Sequence, residues 1–220
     1  MITLKNVSKS YKFNKKERIS VLKNVDCVIQ DGEIVTILGP SGSGKSTLLN
    51  LMSGVDVADD GEIIIGEINI AKCSESQRTE LRLNTLGFVF QSYQLIETLN
   101  MYDNVILPIL AAGRDVNKNE VENLLKRLCL YERRFHFPHQ LSGGEQQRTA
   151  IARTFIKHPK IVFADEPTGN LDANNTMGIL NLLSEEAKNT QCTLIIVSHD
   201  KVFENISDRI LVLQDGRLSE

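Results

Sequence analysis

The chain has no tryptophan, and aromatic residues fill only 5% of its 220 positions. That scarcity argues against base-stacking platforms and against the aromatic strips that bind carbohydrate. Positive charge is not in surplus either. Lys and Arg number 25 against 28 Asp and Glu, for a net of −3, whereas a nucleic-acid footprint is usually basic. No nucleic-acid partner is expected. The four cysteines, Cys27, Cys73, Cys129 and Cys192, lie far apart with no C-x-x-C pair. Such scattered thiols read as reduced, buried small residues rather than a metal site or a disulfide framework. No apolar stretch approaches the ~20 residues that span a bilayer. Residues 34–38 and 104–112 are too short, and Pro108 interrupts the second. The first ten residues lack the apolar core of a signal peptide. A chain that does not cross a membrane by itself is expected. Composition is otherwise that of an ordinary globular protein, 41% apolar and 24% charged, which excludes collagen and low-complexity chains. At this length a core can form without staples.

What is present is an alternation of strand and helix patterns, which predicts an α/β fold. Residues 21–30 read as a strand, Asp31-Gly32 as a hairpin turn and 33–38 as a buried strand. Residues 1–30 and 61–70 read as an antiparallel β flap beside a mostly parallel sheet. A helical run over 45–53 is stopped by Gly54. The short apolar runs 86–91, 161–165 and 193–198 have the pattern of central parallel strands. Between residues 92 and 141 the strand signal disappears, and 121–130 shows apolar residues at helical spacing. An inserted α-helical subdomain is expected there. Residues 1–220 form one domain in this reading. Its core comes from 1–91 and 160–220, and the helical subdomain from about 92–159.

Gly39-Pro40-Ser41-Gly42-Ser43-Gly44-Lys45-Ser46-Thr47 fits G-x-x-x-x-G-K-[ST] between a predicted strand and a predicted helix. Glycines let successive N–H groups turn inward onto a β-phosphate. Lys45 places a charge between the β- and γ-phosphates, and the Ser46 hydroxyl is placed to ligate Mg2+. The following helix directs its N-terminal dipole at the same anion. A P-loop core that binds a nucleoside triphosphate follows. Downstream, residues 161–164 are apolar and Asp165-Glu166 end the run. Asp165 can hold Mg2+ beside the cradle, and Glu166 can polarise an attacking water.

Leu141-Ser142-Gly143-Gly144-Glu145 decides between families. Locally, Ser142-x-x-Glu145 is a capping box for a helix over 145–157. That does not explain Gly143 and Gly144, which weaken a first helical turn but allow close approach to an anion. A second anion-binding helix end in a chain that already has a cradle suggests a site shared between two copies.

Here the sequence resembles the ATP-binding-cassette (ABC) ATPases over essentially all 220 residues. The resemblance implies ATP hydrolysis with Mg2+. Leu141 to Glu145 looks like the family's signature motif, which implies that Ser142, Gly143 and Gly144 bind the γ-phosphate held by a second copy of the chain. Gln91 matches the glutamine near Mg2+ and the attacking water, Asp172 the loop that reaches across the dimer, and His199 the switch histidine. Tyr11 resembles the aromatic that stacks on adenine. The segments Phe90 to Leu95 and Pro167 to Asp172 resemble the branch serving lipoprotein release, macrolide and peptide export, haem export and a cell-division regulator. A separate membrane permease is then implied, docking near Ser92 to Pro108, with the chain peripheral on the cytoplasmic face. Export of a peptide, drug, lipoprotein or haem is one reading, and work on a membrane regulator of cell-wall remodelling without transport is the other. DNA-repair relatives carry long coiled coils, and residues 48–140 show no sustained heptads. His136 and His139 have no third ligand nearby and read as a packed junction.

Overall fold

Strands buried on both faces must be almost wholly apolar, and such strands punctuate this chain between helices. The computed structural model describes every residue except Phe13, Lys15, Lys16 and Asp172. In chain order its elements are β1 (Ile2–Lys12), β2 (Arg18–Ile29), β3 (Ile34–Leu38), α1 (Lys45–Met52), β4 (Asp60–Ile65), β5 (Ile68–Asn69), α2 (Glu75–Asn84) and β6 (Leu86–Phe90). They continue with α3 (Met101–Ala111), α4 (Lys118–Arg127), α5 (Gly143–Phe155), β7 (Ile161–Asp165), α6 (Ala173–Thr190), β8 (Thr193–Ser198), β9 (Arg209–Gln214) and β10 (Arg217–Ser219). The chain divides into two compact units, residues 1–82 with 193–220, and residues 83–192.

In the first unit, β2, β1, β4 and β5 form an antiparallel sheet in that order. A second layer has β3 between β8 and β9, parallel to both, with β10 antiparallel to β9. Every residue of β3 and β8 is buried, as expected for parallel strands covered on both faces. The helix α1 packs on β8 and β2 through Leu48, Leu49, Leu51 and Met52. The hairpin expected at Asp31-Gly32 is not one. Gly32 turns the chain at φ 75°, but β2 pairs with β1 while β3 pairs with β8 and β9. The burial patterns give the reason. β2 is exposed along much of its length, so it suits a one-sided sheet, and β3 suits a two-sided one.

Leu38 is level with Ser198 on one side and Val212 on the other. The segments leaving β3 and β8 therefore emerge side by side at the carboxyl edge, where open α/β sheets bind ligands. Gly39 N–H donates to the Ser198 carbonyl at 3.3 Å.

In the second unit β6 and β7 run parallel, with Phe90 level with Asp165. Its helical part is cored by Met101, Val105, Val121, Leu125, Leu141 and Ile156. Pro108 lies inside α3 rather than ending it, and Asn100 caps the helix by accepting from Asp103 N–H. The polar helix α2, most of which belongs to the first unit, buries only Leu81, and its Glu75 pairs with Arg78 and Arg82. No described helix is long and apolar enough to cross a membrane. All four cysteines are free, but only Cys192 is buried and Cys129 is exposed. Cys129 sits at φ 55° in the bend after α4, where the chain turns at the surface.

Candidate active site

The first unit carries the cradle. β3 ends at Leu38, and the loop from Gly39 to Gly44 leads into α1. Gly44 sits at φ 103° and caps α1 without any side-chain hydrogen bond. The donors of a first helical turn need such partners or a ligand. A side chain here would be strained and would also meet Val21 Cγ1 at 2.9 Å. At Gly39 a Cβ would stand 2.3 Å from the Leu213 carbonyl oxygen and 2.7 Å from Ser43 Oγ. Lys45 is only 8% exposed, and its ammonium folds onto the loop it would line, donating to Gly39 O at 2.7 Å and Pro40 O at 3.1 Å. Ser43 Oγ is buried without a hydrogen-bond partner. Buried polar atoms are nearly always satisfied, so an orphan hydroxyl in this loop fits a phosphate oxygen as its missing acceptor.

Tyr11, 40% exposed, stands beside the far end of the cradle. Its hydroxyl donates to Asp56 at 2.7 Å and is hydrogen-bonded to the Thr47 hydroxyl. Burial and the Asp56 carboxylate push the phenol's pKa up. Lys9 lies 5.1 Å from the ring centroid and is itself bonded to Asp56 at 2.7 Å. These contacts anchor the ring by its hydroxyl and by Lys9, and the side chain stays partly exposed. His199 follows β8 directly and is exposed.

The second unit carries the acids. Asp165 ends β7, and Glu166 turns the chain at φ 44°, a conformation that costs a residue with a side chain. Gly169 N–H closes that turn onto Glu166 O at 3.0 Å. Because Phe90 is level with Asp165, Gln91 leaves β6 beside the same turn. Its Nε2 donates to Asn170 Oδ1 at 3.4 Å, and Asn170 Nδ2 returns a bond to Gln91 O at 2.9 Å. Gly169 lies close against Gln91: a Cβ there would stand 2.6 Å from Gln91 Nε2, and the amide would have to shift. Asp172 lies outside the described residues.

The same unit holds Ser142, Gly143 and Gly144 at the start of α5. Ser142 N–H and Oγ both donate to Glu145 Oε2 at 2.8 Å, and Glu145 N–H donates back to Ser142 Oγ at 3.3 Å. The capping box is therefore formed. Burial alone would raise the Glu145 pKa, but the Ser142 bonds with the Arg133 and Arg148 charges hold it below the usual carboxylate range. His139 stacks on Phe137 at 6.0 Å between centroids, and His136 meets Arg133.

Three residues on this unit form a contact that the sequence reading missed. Tyr93 and Gln94 have left-handed backbones, φ 56° and 48°, and Arg153 of α5 donates to both carbonyls. Nothing in one sequence marks a contact between positions so far apart. A cavity of about 270 Å3 opens beside them, lined by Phe88, Phe90, Gln94, Pro108, Arg153 and Lys157 among others. Burial, with Arg114 nearby, lowers the Lys157 pKa to about 8.

Among the described residues no cluster of three His, Cys, Asp or Glu side chains could hold a metal. Taken one by one, the hydroxyl of Ser46 on the first unit and the carboxylate of Asp165 and amide of Gln91 on the second are hard oxygen donors of the kind Mg2+ takes.

A profile of the ABC transporter family matches residues 22–169. The lipoprotein-releasing system ATP-binding protein LolD of Legionella pneumophila (strain Lens) is 43% identical over 220 residues, covering 99% of this chain and 96% of that protein. The cassette MJ0796 of Methanocaldococcus jannaschii is similar in structure. A chain from its dimeric structure in a post-hydrolysis state, bound to ADP and Pi, superposes with a TM-score of 0.90 at 38% identity, covering 100% of this chain and 97% of that one.

Proposed function

The chain belongs to the ABC transporter family of ATP-hydrolysing subunits, and on that footing we propose that two copies close head to tail on two ATP molecules and energise a separate export permease. In each site Gly39 to Thr47 of one copy hold the triphosphate, with Lys45 between the β- and γ-phosphates and Tyr11 on the adenine. Ser46, Asp165 and Gln91 hold Mg2+, which neutralises charge on the phosphate oxygens when bound. Glu166 takes the proton of the attacking water as general base, and His199 contacts the γ-phosphate. Ser142, Gly143, Gly144 and Asp172 of the other copy complete the site. A two-fold axis makes both interfaces the same patch. Hydrolysis removes the γ-phosphate that bridges the copies, so closure follows the difference in affinity between ATP and ADP.

The observation that carries the reading is the cradle itself, with the buried Ser43 hydroxyl lacking an acceptor and Lys45 bound to the loop's own carbonyls. The permease reading is supported by the name of the Legionella relative, a lipoprotein-releasing component. We assign its docking surface to Ser92 to Pro108, beside the groove of Phe88, Phe90 and Pro108. The helical arm of about residues 92–159 then carries both docking surface and signature, and the chain sits peripherally at the cytoplasmic face. Glu166→Gln is expected to keep Mg·ATP binding while turnover falls by about 10²–10⁴-fold. Wild-type turnover by that variant, in protein cleared of contaminating ATPases, would remove Glu166 from its role.

A further inference from the structure

The segment that follows Gln91 is held at two places by α5. At the start of that helix, a Cβ on Gly143 would lie 3.0 Å from the Tyr93 hydroxyl, so the phenol reaches the helix end that begins at Ser142. Further along α5, Arg153 Nη2 donates to Tyr93 O at 2.8 Å and Nη1 to Gln94 O at 2.6 Å. Both carbonyls belong to left-handed residues, a conformation that is strained for a residue with a side chain. Bonds from a charged donor are the strong kind, and they offset that strain. Burial lowers the pKa of the guanidinium.

Two further contacts close a ring. Gln91 is tied to Asn170 by its side chain and its carbonyl, and Asn170 follows the turn whose Gly169 N–H bonds Glu166 O. Gln147, also on α5, donates to Pro167 O at 2.6 Å in that turn. One helix therefore grips both the Glu166 turn and the Gln91 segment.

We propose that Arg153 is a positioning residue: it fixes the Gln91 amide against the Glu166 turn and ties that amide to the helix end at Ser142 and Gly143. It rests on the reading of Gln91 as the residue beside Mg2+ and the attacking water. The forked side chain suits the task because it meets two successive carbonyls at once. Lysine, a point donor, keeps one of the two bonds at most.

The test is a double-mutant cycle on the full chain, measuring kcat and the ATP affinity of the monomer in wild type, Gln91→Ala, Arg153→Met and the double variant. Arg153→Met is expected to leave ATP affinity within about twofold of wild type, since the cradle is untouched. Its kcat should fall by about 10–100-fold, the scale of a misplaced reacting group, with Arg153→Lys in between. In the Gln91→Ala background Arg153→Met should cost no further activity, because its effect runs through the missing amide. An equal loss in both backgrounds would make Arg153 merely structural and overturn the proposal. A Gln91→Ala variant with wild-type kcat would instead overturn the reading of Gln91, and the inference with it. If Arg153→Met does not fold, Arg153→Lys takes its place in the cycle, and an equal loss in both backgrounds overturns the proposal in the same way.

Discussion

At the scale of single residues, the groups assigned to ATP and the groups that hold the loops in place have different chemistry. Ser43 and Lys45 are polar groups whose best partner is a phosphate. Asn104 is the opposite case. It is fully buried, and its Nδ2 lies 3.1 Å from Ile96 O, 3.0 Å from Leu99 O and 3.0 Å from Asn100 O, while Oδ1 accepts from Ile96 N–H at 2.8 Å. One amide thus fixes the loop before α3, within the segment assigned to the permease. Leaving a buried donor or acceptor unsatisfied costs about 1–3 kcal/mol. Asn104→Ala is therefore expected to lower stability by about 2 kcal/mol or more in a denaturant titration. Asn104→Asp should be worse, because a carboxylate would face three carbonyl oxygens. An alanine variant within about 0.5 kcal/mol of wild type would show that the loop holds itself.

At the scale of elements, what the sequence revealed follows from how each element is buried. β3, β7 and β8 were legible because strands covered on both faces become unbroken apolar runs. The cradle was legible because its glycines and lysine are fixed by backbone geometry and phosphate chemistry at fixed spacing. α2 was not, since it is mostly polar, buries only Leu81 and shows little apolar pattern to read. The false hairpin at Asp31-Gly32 and the Arg153 contacts were hidden for one reason: partner choice across long sequence separations leaves no local pattern. Lys157, just past α5, shows how burial at an element's end becomes measurable. Its ammonium donates to Leu83 O at 3.0 Å, and its pKa falls from 10.5 to about 8. Below pH 8 both folded and unfolded chains hold the proton, and burying the charge costs stability in full. Between 8 and 10.5 the unfolded chain binds more protons, so this group's contribution rises with pH. Thermal unfolding of wild type and Lys157→Met should therefore differ most in the variant's favour below pH 8. The difference should shift toward wild type by pH 10.5, and a constant difference across that range would contradict the burial.

At the scale of the whole molecule, the proposed function turns on a site shared between two chains. Each copy carries a cradle at Gly39 to Thr47 and a separate glycine-flanked helix end at Ser142, and one triphosphate does not need both from the same chain. The capping box at Ser142 accounts for the helix start but not for Gly143 and Gly144. The most direct measurement is sedimentation of Glu166→Gln in Mg·ATP, with and without Ser142→Arg. Glu166→Gln alone should accumulate as a dimer, because ATP stays in place. Adding Ser142→Arg should leave ATP binding by the monomer nearly intact while the dimer is lost, since a bulky side chain fills the γ-phosphate contact. If the double variant dimerises as tightly as Glu166→Gln alone, Ser142 serves only its own helix and the shared site is wrong.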